Sequence, residues 1–126
     1  MERIVYGYAK EDSVLPDSGN RQVFITGAIR EPATHKGRYD LLSPIALSRV
    51  AIHYENGAIK YDDRNWEKGI PASRCMSSAL RHLFQYLLGM DNEDHLAAAC
   101  WNVMAIMHFE TTMPDMIDIP SRKKQV

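Results

Sequence analysis

The sequence has only two cysteines, almost no net charge and no long apolar run. Cys75 and Cys100 both lie in predicted helices, which indicates buried thiols in a reducing cytoplasm rather than a disulfide. The formal net charge of −1 gives no indication of a nucleic-acid or membrane-surface partner. No stretch reaches the ~20 apolar residues of a membrane span, and residues 1–5 do not begin a signal peptide. We therefore expect a cytoplasmic protein without nucleic-acid or membrane partners.

Several motifs that mark catalytic and metal sites are also missing. Without a C-x-x-C or H-E-x-x-H spacing, a structural zinc site is disfavoured. There is no glycine-rich loop of the G-x-x-x-x-G-K-[ST] kind, so phosphate must be bound through a metal ion and cationic side chains. Ser78 lies one turn before His82, but no strained elbow or orienting acid accompanies the pair. A serine nucleophile is therefore disfavoured as well.

The composition is that of one globular domain. The chain has 126 residues, of which 45% are hydrophobic and 25% charged, enough to bury a core without disulfides. Residues 1–37 lack sustained periodicity, and residues 1–42 are predicted to form an extended N-terminal arm with a short extended segment at residues 22–26. Residues 43–110 carry helical patterns, and residues 111–126 form a C-terminal tail. We expect a single all-α domain with an N-terminal arm.

Caps and breakers delimit the first two helices. Ser43 and Pro44 begin the first, because serine accepts from free amides and proline suits the first helical position. Gly57 costs that helix ~1 kcal/mol relative to alanine. It indicates either close approach by a helix or ligand, or a tolerated flaw. Pro71 opens the second helix and Gly89 ends it.

The link to the third helix is short, so the second and third helices are predicted to run antiparallel. Asp91 or Asn92 is expected to cap the third helix. Glu93 and Asp94 would then lie in its first turn, where the helix dipole favours acids. This places His95 about one turn into the helix.

The predicted buried stripes are narrow. In the second helix the stripe is Cys75, Met76, Ala79, Leu80, Leu83 and Leu87. In the third helix it is Leu96, Ala99, Cys100, Val103 and Met107. Because three helices bury limited apolar area, we expect a homodimer or homotetramer that completes a four-helix bundle.

Histidines and acids on the second and third helices form a candidate metal site. They would meet across the helical hairpin, and their oxygen and imidazole donors suit Mg²⁺ or Mn²⁺ above Zn²⁺. The alternative is a pair of partly buried, hydrogen-bonded histidines. Glu55 could reach the ion or remain exposed. The candidate ligands are Glu55, His82, Glu93, Asp94 and His95.

Cations surround Trp66 in the loop before the second helix. Bases stack on tryptophan and phosphates pair with arginine, so this loop is a candidate nucleotide site. The alternative is a solvated loop with Trp66 as a core plug. The predicted substrate-binding residues are Arg30, Lys60, Arg64, Asn65, Trp66, Arg81 and Asn102.

Six segments together resemble the phage and bacterial dATP/dGTP diphosphohydrolase N-terminal family, which includes MazZ-like, MazG-related pyrophosphohydrolases. The segments are residues 26–30, 38–44, 57–61, 64–69, 79–82 and 95–97. The resemblance implies an all-α, MazG-like enzyme that hydrolyses a purine deoxynucleoside triphosphate, dGTP first and dATP second, to monophosphate and pyrophosphate with Mg²⁺ or Mn²⁺. In phages with 2-aminoadenine DNA, the dGMP product feeds synthesis of the modified nucleotide. A phage-encoded enzyme would act in the host cytoplasm.

The chain departs from the MazG pattern of paired acids, E-x-x-E on one helix and E-x-x-D on the next. Asp94 and His95 fall at the glutamates of the second motif, and Ala98 stands where its aspartate is expected. Arg81 and His82 occupy the region of the first motif. The metal shell must therefore be assembled from other residues.

We predict cleavage between the α- and β-phosphates, with Glu93, Asp94 and His95 as catalytic residues. An HD-type phosphohydrolase is the weaker enzyme alternative, because it needs His before Asp and this chain has the reverse order. The non-enzyme alternative is a helical nucleotide-binding or assembly protein.

Overall fold

The computed structural model describes residues 15–123. The predictions for residues 1–5 and for the last three residues of the tail lie outside this range. The described residues fall in two units, one ending at Asp40 and the other beginning at Leu41. The division into an arm, a core and a tail at residues 42 and 110 stays a prediction.

The N-terminal unit contains a short β-hairpin. Strands β1 (Gln22–Val23) and β2 (Ile29–Arg30) pair antiparallel, with Val23 opposite Ile29. The Phe24 carbonyl accepts from the Gly27 amide at 2.9 Å, and Gly27 takes a positive φ of 86°. Positive φ is readily available to glycine, which explains the tight turn. The predicted extended segment is therefore shorter than expected, because residues 24–28 turn.

Helix α1 spans Pro44–Tyr61 and begins where the sequence predicts. The Ser43 hydroxyl accepts from the Ala46 amide at 3.1 Å, which satisfies one of the free donors of the first turn. At its other end Asp62 and Arg64 adopt left-handed φ angles of 86° and 59°. These two residues reverse the chain into a 3₁₀ turn, Asn65–Lys68.

Helices α2 (Ala72–Leu87) and α3 (His95–Thr112) pack against each other as the predicted hairpin. Pro71 precedes α2, and Gly89 follows it with φ at 81°. The predicted cap of α3 was wrong. Asp94 caps this helix, because its carboxylate accepts from the Ala97 amide at 3.1 Å. Glu93 and Asp94 therefore precede the first turn, and His95 is the first helical residue.

Small side chains form the contact between α2 and α3, so the helices approach closely. On α2 the buried residues are Ala72, Cys75, Ala79 and His82. On α3 they are His95, Ala97, Ala98, Ala99, Asn102, Ala105 and Phe109. The spacing of three and four residues places most of each set on one face. The all-α prediction is confirmed.

The predicted stripes were only partly right. Cys75, Ala79 and Ala99 are buried, but Cys100 is exposed. Burial raises the pKa of the Cys75 thiol, which keeps it protonated. Leu96 is half-buried, and the remaining large members of the stripes face outward on this chain. They are Met76, Leu80, Leu83, Leu87, Val103 and Met107.

The segment after α3 folds back on the helices. Its side chains join a cluster around Phe109, which is fully buried. The partly buried members of the cluster are Trp66, Ile70, Ile106, Met113, Met116 and Ile117. Asp118 accepts from the amide and hydroxyl of Ser73 at 2.8 and 2.6 Å, which joins this segment to the start of α2. None of the described helices is long and apolar enough to cross a membrane.

Candidate active site

A cleft of about 950 Å³ opens beside the C-terminal half of α1, the 62–67 loop, α2 and the middle of α3. It is large enough for a small-molecule ligand. Most residues predicted to bind substrate or metal line it. They are Glu55, Lys60, Arg64, Asn65, Trp66, Arg81, His82 and Asn102. Arg30 lies exposed on β2 in the N-terminal unit, and its role stays a prediction.

His82 and His95 meet across the helical hairpin, as their sequence positions suggest. Their Nδ1 atoms are 3.0 Å apart, and the side chains are 7% and 2% exposed. His82 comes from the last part of α2, and His95 is the first residue of α3. The cap at Asp94 sets where α3 begins and makes His95 its first residue.

The hydrogen bonds of this pair indicate which ring nitrogens carry a proton. Nε2 of His95 lies 3.0 Å from the Asn92 amide oxygen, which only accepts, so Nε2 carries a proton. In the neutral ring Nδ1 of His95 then accepts, and Nδ1–H of His82 donates. Burial lowers the pKa of His82, while nearby Glu93 acts in the opposite direction. The two Nδ1 atoms therefore share one proton, and an ion that binds both of them must displace it.

Glu93 supplies the third possible ligand. Its Oε1 is 3.7 Å from Nδ1 of His82, and the side chain is 46% exposed. Donor atoms of His82, Glu93 and His95 all lie within 4.8 Å of one another. Among residues 15–123 this is the one group of three acids, cysteines or histidines placed closely enough to hold a metal ion. Two imidazoles and a carboxylate fit a divalent metal.

Asp94, also predicted as a ligand, is engaged elsewhere. Nε and Nη2 of Arg49 on α1 donate to its two oxygens at 2.8 and 2.7 Å, in a bidentate pair. Its hydrogen bonds to Arg49 lower the pKa of Asp94 to about 2. The carboxylate also caps α3. Asp94 is therefore placed to hold α1 and α3 together beside the histidines.

Aromatic rings form one wall of the cleft. Trp66 lies edge-on to Tyr54 at 5.9 Å and to Trp101 at 6.4 Å between ring centroids. His53 lies 5.9 Å from Trp101. Trp66 also packs on the core at Phe109. Trp66 therefore packs on the core, as the alternative interpretation predicts, and also lines the cleft, while its contact with a nucleotide stays a prediction.

Sequence reasoning missed Tyr54, Trp101 and Arg74 as cleft residues. Tyr54 lies about one turn after the buried Val50 on α1, and this face of the helix borders the cleft. Arg74 shares a face of α2 with Ser78 and Arg81, at spacings of four and three, and this helical phase was the available signal.

Asn102 is held in one orientation at the floor of the cleft. Its amide nitrogen donates to the Ala98 carbonyl at 2.9 Å and to the Ser78 hydroxyl at 3.4 Å. Ser78 also accepts from Arg81 at 3.1 Å. Because a carbonyl can only accept, the Asn102 nitrogen must face Ala98. Its side-chain oxygen is then the group left for a ligand.

Comparison with known proteins gives one match. Residues 26–119 match the family described as dATP/dGTP diphosphohydrolase, N-terminal. No curated protein and no solved structure matches the chain. The match includes α1, α2, α3, the cleft and the histidine pair.

Proposed function

Because the chain belongs to the dATP/dGTP diphosphohydrolase N-terminal family, we propose that it hydrolyses a purine deoxynucleoside triphosphate to the monophosphate and pyrophosphate. The observation that carries this proposal is the cleft, which combines cations, an aromatic wall and one of the two paired histidines. dGTP is the first candidate substrate and dATP the second. A dGMP product would serve phages that make 2-aminoadenine DNA.

The cationic face of α2 is suited to the phosphates. Arg74 and Arg81 line the cleft one above the other, and Lys60 lines it from α1. Neither arginine has a carboxylate within ion-pair distance among residues 15–123. Arg64 already pairs with Glu67 at 2.7 Å and is 79% exposed. We therefore assign the principal phosphate contacts to Arg74, Arg81 and Lys60, with Arg64 at the cleft mouth.

The aromatic wall is suited to the base. Trp66, Tyr54 and Trp101 present rings beside the phosphate-binding face, and stacking on a ring contributes ~1–3 kcal/mol for a nucleobase. Asn65 and Asn102 add amide groups that can hydrogen-bond to base or sugar. A purine, having the larger ring system, gains more from this wall than a pyrimidine.

We assign the metal site to His82, Glu93 and His95. A bound divalent ion would lower the pKa of a water ligand and neutralise phosphate charge. Asp94 orients the start of α3 through Arg49 instead of contacting the ion. Glu55 lines the cleft and is placed to interact with Mg²⁺ carried by the triphosphate.

Product analysis tests the proposal. Purified protein is incubated with dGTP or dATP and Mn²⁺, and nucleotides and pyrophosphate are separated. We expect monophosphate and pyrophosphate in equal amounts. Replacing His95 with alanine should abolish turnover while far-UV circular dichroism stays unchanged, and Arg122→Ala, outside the cleft, should retain it. Nucleotide binding without any hydrolysis would instead identify a binding protein and end the enzyme proposal.

We further propose that the chain forms a homodimer or homotetramer. The outward face of α2 carries Leu80, Leu83 and Leu87, which are 47%, 42% and 77% exposed. These residues recur at helical spacing and form one apolar strip. A second copy that covers this strip would complete a helical bundle.

A further inference from the structure

We propose that His82, Glu93 and His95 form a selective site for a later divalent transition metal, such as Co²⁺ or Zn²⁺, and that Mg²⁺ does not compete for it. The role of the ion in catalysis rests on the proposed function, but the selectivity follows from the donor atoms alone. The family resemblance implies Mg²⁺ or Mn²⁺, and the MazG pattern provides paired acids to hold these ions. The residues present here do not fit that arrangement.

The spacing of the donors suits a single ion. The two Nδ1 atoms are 3.0 Å apart, and Oε1 of Glu93 is 3.7 Å from one of them. Ligands that each lie ~2.1 Å from a metal, at angles between 90° and 109°, are separated by ~3.0–3.4 Å. The Nδ1 atoms are therefore already at the separation of neighbouring ligands. An ion between them takes the place of the proton that they share, which moves to Nε2 of His82 or to solvent. Glu93 needs only a small side-chain adjustment, and its 46% exposure permits one.

Asn92 provides an independent indication of a metal site. Histidines that ligate metals through one ring nitrogen commonly donate the other N–H to an oxygen, which fixes the ring and its tautomer. Nε2 of His95 is 3.0 Å from the Asn92 amide oxygen, so Nδ1 is the nitrogen left to bind. This is the expected arrangement for a ligand histidine. It also holds the ring in place when no ion is bound.

The donor chemistry selects the class of ion. Mg²⁺ strongly prefers oxygen ligands and usually retains several waters, whereas imidazole suits later divalent metals. Only Glu93 contributes a carboxylate to the group. Asp94, the next acid, is held by both nitrogens of the Arg49 fork. Ala98, one turn along α3, is fully buried and offers no ligand.

An ion held by His82, Glu93 and His95 would lie between the cleft and a second, smaller opening. His82 lines the large cleft, whereas Glu93 and His95 line a separate recess of about 210 Å³. The group therefore lies between the two openings. A metal can reach it from the recess while nucleotide occupies the cleft. Two different ions would then serve the site, a resident transition metal and the Mg²⁺ that accompanies the triphosphate.

Cobalt provides a direct readout, because Co²⁺ with nitrogen ligands absorbs visible light. The full chain is titrated with Co²⁺ in the absence of nucleotide, and Zn²⁺ or a large excess of Mg²⁺ is then added. We expect a saturable visible band that corresponds to one ion per chain. Zn²⁺ should remove this band, and Mg²⁺ should leave it unchanged. No band, or displacement by Mg²⁺, would overturn the proposal.

Variants test whether the Co²⁺ that gives the band is bound by these three residues. His82→Ala and Glu93→Gln should remove or strongly weaken it, and Asn92→Ala should weaken Co²⁺ affinity by about 10–100-fold. Glu93 and Asn92 are exposed, so those two variants test the site even if His82→Ala fails to fold. Asp91→Asn is the matched control, because Asp91 is an exposed acid beside the same recess but is not one of the three ligands, so this variant should retain the band.

The two proposals can fail separately. A Co²⁺ band without hydrolysis of any deoxynucleotide would support the metal site and refute the proposed activity. Hydrolysis supported by Mg²⁺ in protein that gives no Co²⁺ band would support the activity and refute the metal site. A band that survives in both His82→Ala and Glu93→Gln would show that Co²⁺ binds elsewhere, which also refutes it.

Discussion

At the scale of single residues, one substitution can decide whether Gly57 allows close approach of a ligand or is only a tolerated flaw in α1. It lies inside α1 and lines the cleft, and an added Cβ would meet no atom within 4 Å. Gly57→Ala should therefore stabilise the helix by about 1 kcal/mol. If nucleotide occupies the cleft, the new methyl group should also raise KM several-fold. Urea unfolding and steady-state kinetics measure the two effects.

Ser48→Ala is the control for this substitution. Ser48 is exposed on the same helix and does not line the cleft, so it should alter stability slightly and leave KM unchanged. If Gly57→Ala is more stable with an unchanged KM, Gly57 is a tolerated flaw and the nucleotide does not approach it.

Arg74 is the residue that most directly tests the phosphate assignment. Arg74→Ala removes a cation from the cleft without disturbing an ion pair among the described residues. A lost contact to a charged group costs ~1.5–3 kcal/mol, so KM or kcat/KM for the triphosphate should change by roughly 10–100-fold. The unfolding midpoint should remain close to that of the unaltered protein.

Arg122→Ala is the control for Arg74→Ala. It also removes one arginine, but Arg122 lies in the C-terminal 3₁₀ turn outside the cleft. Equal kinetic losses in both variants would indicate a general charge effect and would remove Arg74 from the phosphate site.

At the scale of elements, the sequence predicts most helix ends but misplaces the start of α3. Ser43, Pro71 and Gly89 act locally, so their roles can be read from neighbouring residues. Between residues 91 and 94 several residues can cap, and local preference does not choose among them. Arg49 on α1 binds Asp94 and so favours Asp94 as the cap of α3. The two residues are 45 positions apart in the sequence, so local preference does not reveal this contact.

A second long-range contact caps α2 from the C-terminal segment. The Asp118 carboxylate accepts from Ser73 at the start of the helix, where the dipole also favours an anion. These hydrogen bonds lower the pKa of Asp118 below its usual 3.8. Since the folded pKa is the lower one, the stabilisation is present above pH 3.8 and is lost as pH falls through the folded value.

Asp118→Asn should accordingly lower the thermal midpoint by a few degrees at neutral pH. The difference from the unaltered protein should shrink as pH falls below 3.8 and through the folded pKa, because the carboxylate is then protonated in both folded and unfolded chains. Thermal scans monitored by circular dichroism across this range measure the effect. Asp115→Asn, in the adjacent 3₁₀ turn, should show little change. A constant deficit at every pH would contradict the capping role of the charge.

At the scale of the whole molecule, hydrophobic pattern alone could not tell which face of each helix packs within the chain. Both α2 and α3 have small residues on one face and large apolar residues on a neighbouring face. The sequence favoured large residues such as Leu83 and Val103, which are exposed, and overlooked Ala72 and Ala105, which are buried. The pairing of polar residues at the site was more predictable, because each of them has few alternative partners. The histidine pairing followed from helical phase, but the engagement of Asp94 by Arg49 did not.

The outward apolar faces predict self-association of the chain. Light scattering coupled to size exclusion should give the mass of a dimer or tetramer. Leu83→Glu places a charge in the centre of the α2 strip and should shift the mass to that of a monomer, because burying an unpaired carboxylate is strongly unfavourable. Ile45→Glu is the control, since Ile45 is 79% exposed on α1 and lies outside the strip. Monomeric unaltered protein, or Leu83→Glu that keeps the oligomeric mass, would rule out this strip as the interface.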